Sequence, residues 1–329
     1  FVEQRSQIHW LVIVDDDPDQ FFADFRKDFS AETVLLLTED GSLPANMETN
    51  GSTRLAGAWS DLDQVIAQTP VSGVIVTSLE QVPDQLVSRL MDIRIHGTRI
   101  YRLSDFYEQY LSRVPIFHLS PQWLTTAHGF ELIHNRIGLR FKRYVDVVIV
   151  LLAGLITLPL MAATATLILL GNGTPLLYRQ TRTGENNQPF TCYKFRTMVA
   201  SAEADGAQYA QVNDPRLIPF GRYLRKYRLD ELPQLWNVLK GEMSFIGPRP
   251  ERPEFIQNLE KAIPYYNLRH TVKPGITGWA QVMYGYGDTE SDAAQKLQYD
   301  LFYVKNYSLL LDISILIKSI KVILFGTGR

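Results

Sequence analysis

Two adjacent carboxylates, Asp230 and Glu231, open the run Leu-Pro-Gln-Leu-Trp-Asn-Val-Leu-Lys-Gly241. Leu232, Leu235, Trp236 and Leu239 recur at i, i+3, i+4 and i+7, the spacing of one helix face. Pro233 fits the first helical turn, where a missing N–H costs nothing, and Gly241 fits the stop. Asp230 therefore stands at the positive end of a helix dipole, where a carboxylate stays ionised and a phosphate is welcome. Beyond a short apolar run, the stiff turn Gly247-Pro-Arg-Pro250 presents Arg249, whose planar fork suits phosphate oxygens. An ionised carboxylate facing an arginine turn points to phosphoryl chemistry with Asp230 as nucleophile. The competing reading is an N-cap aspartate beside a solvated glutamate.

Basic residues gather around the same segments. Lys194-Phe-Arg-Thr-Met198 follows an expected strand at Phe190–Tyr193. Arg222, Arg225, Lys226 and Arg228 crowd the approach to Asp230, and Arg269, His270 and Lys273 precede the turn Pro274-Gly-Ile-Thr-Gly-Trp279. The whole chain carries a net charge of only −2, so this concentration is local. A charge run is usually a solvated face. Recurrence beside several separate Gly/Pro turns fits convergence on one anionic site better.

These groups must be positioned against a membrane. Residues 147–170 hold no charged side chain, long enough for a helix to cross a bilayer, which takes about 20 apolar residues. Arg136, Arg140, Lys142 and Arg143 precede the segment, and Arg179 and Arg182 follow it. Positive charge marks cytoplasmic flanks, and here both ends carry it. A helix that enters, breaks at Pro159 and leaves on the same side satisfies both, with Thr157 serving the freed carbonyls. The expectation is a re-entrant helical hairpin bracketed by Lys142 and Arg143, with a single straight span as the alternative. The run Leu309–Phe325, interrupted by Asp312, Lys318 and Lys321, reads as a helix in the headgroup plane or packed on the core.

The 329 residues allow two domains. Trp10–Val14, Thr33–Leu37 and Gly73–Thr77 are short, β-branched and apolar, as buried parallel strands are. Helical stretches lie between them, near Gln20–Phe29, Asp61–Gln68 and Asp84–Ile95. The fold expected is thus an α/β doubly wound N-terminal domain, residues 1–125, followed by a mainly α membrane-associated catalytic domain, residues 126–329. Asp15-Asp-Asp-Pro18 ends the first strand without glycines, so a dinucleotide fingerprint is missing. A phospho-receiver would need an Asp ending the third strand and a Lys ending the fifth, and neither is found. The expected role of this domain is regulation or oligomerisation, with a homodimer left open. A lone cysteine, Cys192, excludes a disulfide framework, and no Cys/His spacing suits structural zinc. The chain opens on Phe1 with no signal-peptide pattern; transmembrane helices before it are left open.

Residues from about Lys142 onward resemble the bacterial sugar transferase family, the monotopic polyprenyl-phosphate hexose-1-phosphate transferases. The matching pieces, in order, are Lys142-Arg143 with Asp146, Tyr178-Arg-Gln180 with Gly184, Lys194-Phe-Arg-Thr-Met198 and Asn213-Asp-Pro-Arg216. They continue with Leu229-Asp-Glu-Leu-Pro-Gln234, Gly247-Pro-Arg-Pro250, Pro274-Gly-Ile-Thr-Gly-Trp-Ala-Gln281, Tyr299-Asp300, Tyr303-Val-Lys-Asn306 and Asp312. The N-terminal part is similar to the nucleotide-fold domain of the family's longer members. The resemblance implies that Asp230 attacks the β-phosphate of a UDP-sugar, expels UMP and forms a phosphosugar–aspartyl intermediate. Transfer to undecaprenyl phosphate would follow and initiate exopolysaccharide or other glycoconjugate assembly. It further implies Mg²⁺ dependence with Asp230 and Glu231 as ligands. Lys194 joins the catalytic group, and Arg249, Arg225 and Arg196 hold phosphate. The place implied is the cytoplasmic face of the bacterial inner membrane, with no nucleic-acid partner. Two departures stand out: Leu158 precedes the breaking proline where the family commonly has Ser, and Leu217-Ile-Pro219 replaces the usual Ile-Thr continuation.

Two other readings compete. A non-catalytic membrane scaffold gives no reason for carboxylates and arginines to cluster in the second domain. A multispanning phosphosugar transferase needs many long apolar segments, and one strong segment is present. The sugar itself is not legible, since every UDP-sugar presents the same pyrophosphate.

Overall fold

The computed structural model describes residues 9–14, 32–42, 53–78, 82–119, 121–130, 135–199, 201–202, 206, 214–285, 287 and 289–325. The chain divides into two units, Phe1–Ser120 and Pro121–Arg329, where the sequence suggested a boundary near 125.

The first unit is built on a parallel sheet of five strands in the order β3-β2-β1-β4-β5. These are β1 (His9–Ile13), β2 (Thr33–Thr38), β3 (Thr53–Ala58), β4 (Gly73–Val76) and β5 (Ile100–Arg102). Helices α1 (Leu62–Gln68) and α2 (Asp84–Ile95) follow β3 and β4. Alternation along each strand builds two cores. Trp10, Val12, Leu36 and Ile75 pack with Phe106 and Tyr107, while Leu11, Ile13, Val74 and Val76 pack with Trp59, Leu62, Leu86 and Leu90. A strand buried on both faces needs an unbroken apolar run, which is why β1, β2 and β4 are legible in the sequence. The strand order is that of a doubly wound nucleotide fold and not the 2-1-3-4-5 order of receiver domains. Strands β3 and β5 were not expected: Thr-Arg-Leu-Ala-Gly-Ala and Ile-Tyr-Arg lack the apolar signature. The helix expected at 20–29 and the acidic run 15–17 lie outside the described residues.

The second unit begins with one long helix, α3 (Arg136–Asn172), capped by the Asn135 side chain on the Gly138 N–H. It is long and apolar enough to cross a membrane, and its apolar middle is mostly uncovered. Pro159 sits inside it, and the helix does not break there. The proline removes one backbone bond while the apolar turns on either side keep theirs. Thr157 was expected to serve the freed carbonyls, but its buried hydroxyl has no hydrogen-bond partner among the described residues. A straight helix of 37 residues would measure roughly 55 Å, against about 30 Å of hydrocarbon.

Both ends of α3 rest on the same unit. Near its start, Lys142 ion-pairs with Asp312 at 2.9 Å and Asp146 at 3.9 Å. Arg143 donates to the carbonyls of Val238 and Leu239, and Asp146 accepts from Ser244 Oγ at 3.0 Å. Near its end, Met161, Ala165 and Ile168 pack with Phe195, Ile218, Leu224 and Leu232. Between these anchors, Leu155 and Ile156 are 78% and 73% exposed. The flanking cations Lys142 and Arg143 therefore face protein groups.

The remainder is mainly helical with two small sheets. The hairpin of β6 (Leu177–Thr183) and β7 (Pro189–Phe195) pairs Tyr178 with Lys194. The turn joining them is Gly184–Gln188, and the polar Gln-Thr-Arg-Thr segment leading into it is extended. Helix α4 (Gly221–Lys226), a 3₁₀ turn (Leu229–Glu231) and α5 (Gln234–Lys240) follow. Strand β8 (Ser244–Ile246) pairs in parallel with β9 (Gly275–Thr277), and α6 (Pro253–Ala262) lies between them in sequence. Helices α7 (Trp279–Met283), α8 (Glu290–Lys305) and α9 (Leu309–Phe325) complete the unit. In α9 Asp312 and Ile315 are buried while Leu310, Ile313 and Ile317 are exposed. That pattern gives the helix one protein face and one apolar open face.

Candidate active site

The dyad is carried by the 3₁₀ turn Leu229–Glu231, entered through Arg228 in the left-handed region at φ 53°. Helix α5 starts only at Gln234, with Pro233 as its cap and Gly241 ending it at φ 86°. Its buried face is Gln234, Leu235, Asn237 and Val238, whereas Trp236 is 58% exposed. The apolar stripe expected through Trp236 is thus corrected: Asn237, fully buried, takes the inner position. It donates to Thr191 O at 2.6 Å and Glu242 Oε2 at 2.7 Å and accepts from Tyr193 N at 3.2 Å. An asparagine can satisfy three partners at once, so it ties α5 to β7 without leaving a buried group unpaired.

Strand β7 thereby brings Lys194 against the turn. Glu231 Oε1 accepts from Lys194 Nζ at 3.0 Å and from an Arg249 terminal nitrogen at 2.6 Å, and Oε2 accepts from Arg228 at 3.3 Å. Burial alone would raise Glu231, but Arg249, Lys194 and Arg228 overcome it and hold its carboxyl well below the ordinary range. Asp230 is equally buried and receives no hydrogen bond from any described residue. Burial first, and the Glu231 charge second, raise Asp230 above the usual carboxylate value, while Lys194, Arg225 and Arg249 pull the other way. Two neighbouring carboxylates are thus pushed apart in character: one locked as an anion among cations, one unencumbered. Such separation is how a single site assigns two roles.

The dyad borders a cavity of about 560 Å³ that also takes in Lys194, Arg225, Arg228 and Arg249. Arg225 donates from Nε to Thr197 Oγ1 at 2.9 Å, which fixes it beside the cavity. The structure brings together every expected site residue of the second unit except the helix flank. Arg196 also borders the cavity, but its terminal nitrogens donate to the carbonyls of Asn172, Gly173 and Thr174 at 2.7–3.0 Å. These bonds tie Arg196 to the end of α3, a contact that its expected phosphate role did not include. The sequence reading did not find Thr197 or Asn237 as partners; neither carries a signal beyond an ordinary polar residue beside a strand.

Among the described residues no group of three His, Cys, Asp or Glu is arranged to hold a metal. Glu231 already accepts from three cations, so it does not fit as a metal ligand. Asp230 does fit as a single carboxylate ligand to an ion completed by phosphate oxygens and water, the usual habit of Mg²⁺.

The profile of the bacterial sugar transferase family matches residues 137–326. An Aeromonas hydrophila protein named UDP-N-acetylgalactosamine-undecaprenyl-phosphate N-acetylgalactosaminephosphotransferase is 43% identical over 229 residues, 70% of this chain and 53% of that protein. A UDP-glucose:undecaprenyl-phosphate glucose-1-phosphate transferase from Xanthomonas campestris pv. campestris is 42% identical over 241 residues, 71% of this chain and 48% of its own. One of the same name from Caulobacter vibrioides is 38% identical over 203 residues, 61% of this chain and 76% of its own. The chain spans about half the length of the first two relatives. The matched segment begins at the second residue of α3 and ends one residue past α9, enclosing the dyad, the Pro-Arg-Pro turn and the long apolar helix. The chain belongs to the bacterial sugar transferase family.

Proposed function

We propose that the second unit transfers a sugar-1-phosphate from a UDP-sugar to undecaprenyl phosphate at the cytoplasmic face of a bacterial inner membrane. The observation that carries this reading is Asp230: a buried carboxylate without a donor, beside a glutamate neutralised by three cations, in a cation-lined cavity. Asp230 attacks the β-phosphorus of the UDP-sugar, the bond to the bridging oxygen breaks, and UMP leaves with that oxygen. A phosphate oxygen of the lipid then attacks the same phosphorus and releases Asp230. Lys194, Arg225 and Arg249 are placed to take up charge on the phosphoryl oxygens during both steps. A bound Mg²⁺, held by Asp230 and the pyrophosphate, would neutralise part of the same charge. A covalent intermediate lets two bulky substrates use one cavity in turn.

The membrane arrangement supports the lipid acceptor. Residues near both ends of α3 bond to other elements of the unit while Leu155 and Ile156 in its apolar middle stay exposed, which supports contact of that middle with lipid. A passage to the far side would carry one anchored end away from its partners. Two of the relatives are named for UDP-glucose and UDP-N-acetylgalactosamine, so these two sugars head the substrate panel.

The test is a single turnover in detergent without lipid acceptor. Each productive UDP-sugar releases about one equivalent of UMP, and the peptide holding Asp230 gains the mass of a sugar phosphate. Asp230→Asn gives neither. UMP release that continues in Asp230→Asn above about one per cent of wild type rules Asp230 out as nucleophile.

A further inference from the structure

The Pro-Arg-Pro turn is held in an unusual way. Four consecutive carbonyls each accept a hydrogen bond from outside the turn, the donors coming from three segments. Pro248 O accepts from Gly275 N at 2.8 Å, and Arg249 O from an Arg269 terminal nitrogen at 2.9 Å. Pro250 O accepts from Arg182 at 3.0 Å, and Glu251 O from Thr183 N at 2.9 Å. Two prolines leave the turn with few N–H groups of its own, so it cannot hold its shape by internal bonds. Beneath it Gly247 and Gly275 pass so closely that a Cβ on Gly275 would lie 2.1 Å from Gly247 N. Backbone donors grip the first and last carbonyls of the four, and arginines grip the middle two.

Arg269 grips the carbonyl of Arg249 itself. It is buried, ion-paired with the buried Asp300 of α8 at 2.8 Å, and donates to Tyr266 Oη at 2.5 Å. Both terminal nitrogens are therefore committed to protein acceptors, although the residue borders the cavity. A planar fork can join a carbonyl, a hydroxyl and a carboxylate in one fixed geometry, which an ammonium cannot. We propose that Arg269, oriented by Asp300, is a positioning residue: it sets where the Arg249 guanidinium stands over Glu231 and the transferred phosphoryl group. The inference rests on the reading of Arg249 as a phosphoryl-handling group.

A double-mutant cycle tests it, reading kcat and KM for UMP release with undecaprenyl phosphate, each variant being checked by thermal melting. Arg249→Ala should lose about 10²-fold in kcat, the scale for one transition-state donor. Arg269→Gln should lose about tenfold or more in kcat through misplacement, with KM for the UDP-sugar little changed. The double variant should be no slower than Arg249→Ala, because Arg269 acts only through Arg249. Losses that multiply in the double variant overturn the inference. Arg269→Lys keeps a charge against Asp300 and guards against a failure of Arg269→Gln to fold. It should show the same kcat loss, and wild-type turnover in Arg269→Lys also overturns the inference. Near-normal turnover in Arg249→Ala alone is a different result, which sinks the reading of Arg249 itself.

Discussion

Replacing Glu231 with glutamine keeps the shape of the side chain and removes its charge, and the outcome can be worked from three distances. Cationic nitrogens of Arg249, Lys194 and Arg228 lie 2.6, 3.0 and 3.3 Å from its oxygens. At an effective dielectric of about 20, one pair at roughly 3 Å is worth about 5 kcal/mol of attraction. Desolvation of the buried carboxylate offsets several kcal/mol, and removing one partner of a buried pair costs about 3–5 kcal/mol net. For a unit of this size that corresponds to a fall in Tm of roughly 10 °C. The pH profile carries the sharper signature. Asp230 is raised by burial and then by the Glu231 charge, so losing that charge lowers Asp230. Lys194 and Arg249, released from Glu231, reinforce the same direction. In its proposed role as nucleophile Asp230 must be ionised to attack, so the acid limb of kcat/KM follows it. In Glu231→Gln this limb should move to lower pH by about one unit, the scale on which two groups sharing a site are coupled. The assay is UMP release measured between about pH 4 and 8, around the ordinary carboxylate and histidine values. An acid limb that stays in place, or climbs, refutes the charge arrangement derived for the dyad.

Three further outcomes follow from the same geometry. Lys142→Ala strands the buried Asp312 and Asp146 without their shared cation and should cost about 3–5 kcal/mol of stability, read as a lowered Tm; an unchanged Tm would show that the cluster does not hold α3. Burial lifts Asp300 to about 6 despite the Arg269 partner, so the stability it contributes is present below about pH 4 and lost as pH rises through about 6. Asp300→Asn should flatten that part of the melting-temperature profile, and a profile of unchanged slope would contradict the assignment. Cysteines replacing the exposed Arg140 and Arg179 should both resist a membrane-impermeant thiol reagent applied outside intact cells; labelling of either from outside establishes a span.

Much of this arrangement is legible in the chain because its physics is local. Apolar β-branched runs announce β1, β2 and β4, proline and glycine bracket α5, and a charge-free stretch announces α3. Asp230, Glu231, Lys194, Arg225 and Arg249 sit beside turns, where a charged residue stands out. What fails is long-range. Whether Arg196 meets a phosphate or the end of α3 depends on where residues 172–174 lie, and no spacing encodes that. Lys142 and Arg143 read as the basic flank of a membrane segment, yet Asp312 closes on Lys142 and the Val238 and Leu239 carbonyls on Arg143 from far along the sequence. Trp236 reads as core by period and is open, because the inner position goes to a polar hub, Asn237, that hydrophobic periodicity cannot see. Pro159 signals a break, yet one lost backbone bond does not end a helix whose other turns are intact.

On the proposed function, the cap that Arg196 places on α3 would make the lipid environment a mechanical input to the chemistry. Arg196 grips the last carbonyls of the apolar helix, and two residues earlier Lys194 holds the dyad. Membranes differ in hydrocarbon thickness by a few ångströms, and a helix that does not match tilts or shifts to suit. Any such shift reaches Lys194 through a single intervening residue, Phe195, which packs in one cluster with Ile168 of the same helix. Turnover should therefore vary between vesicles of short-chain and long-chain lipid of equal headgroup. Acyl-chain length, a property of neither substrate, would then act as a rate-setting variable.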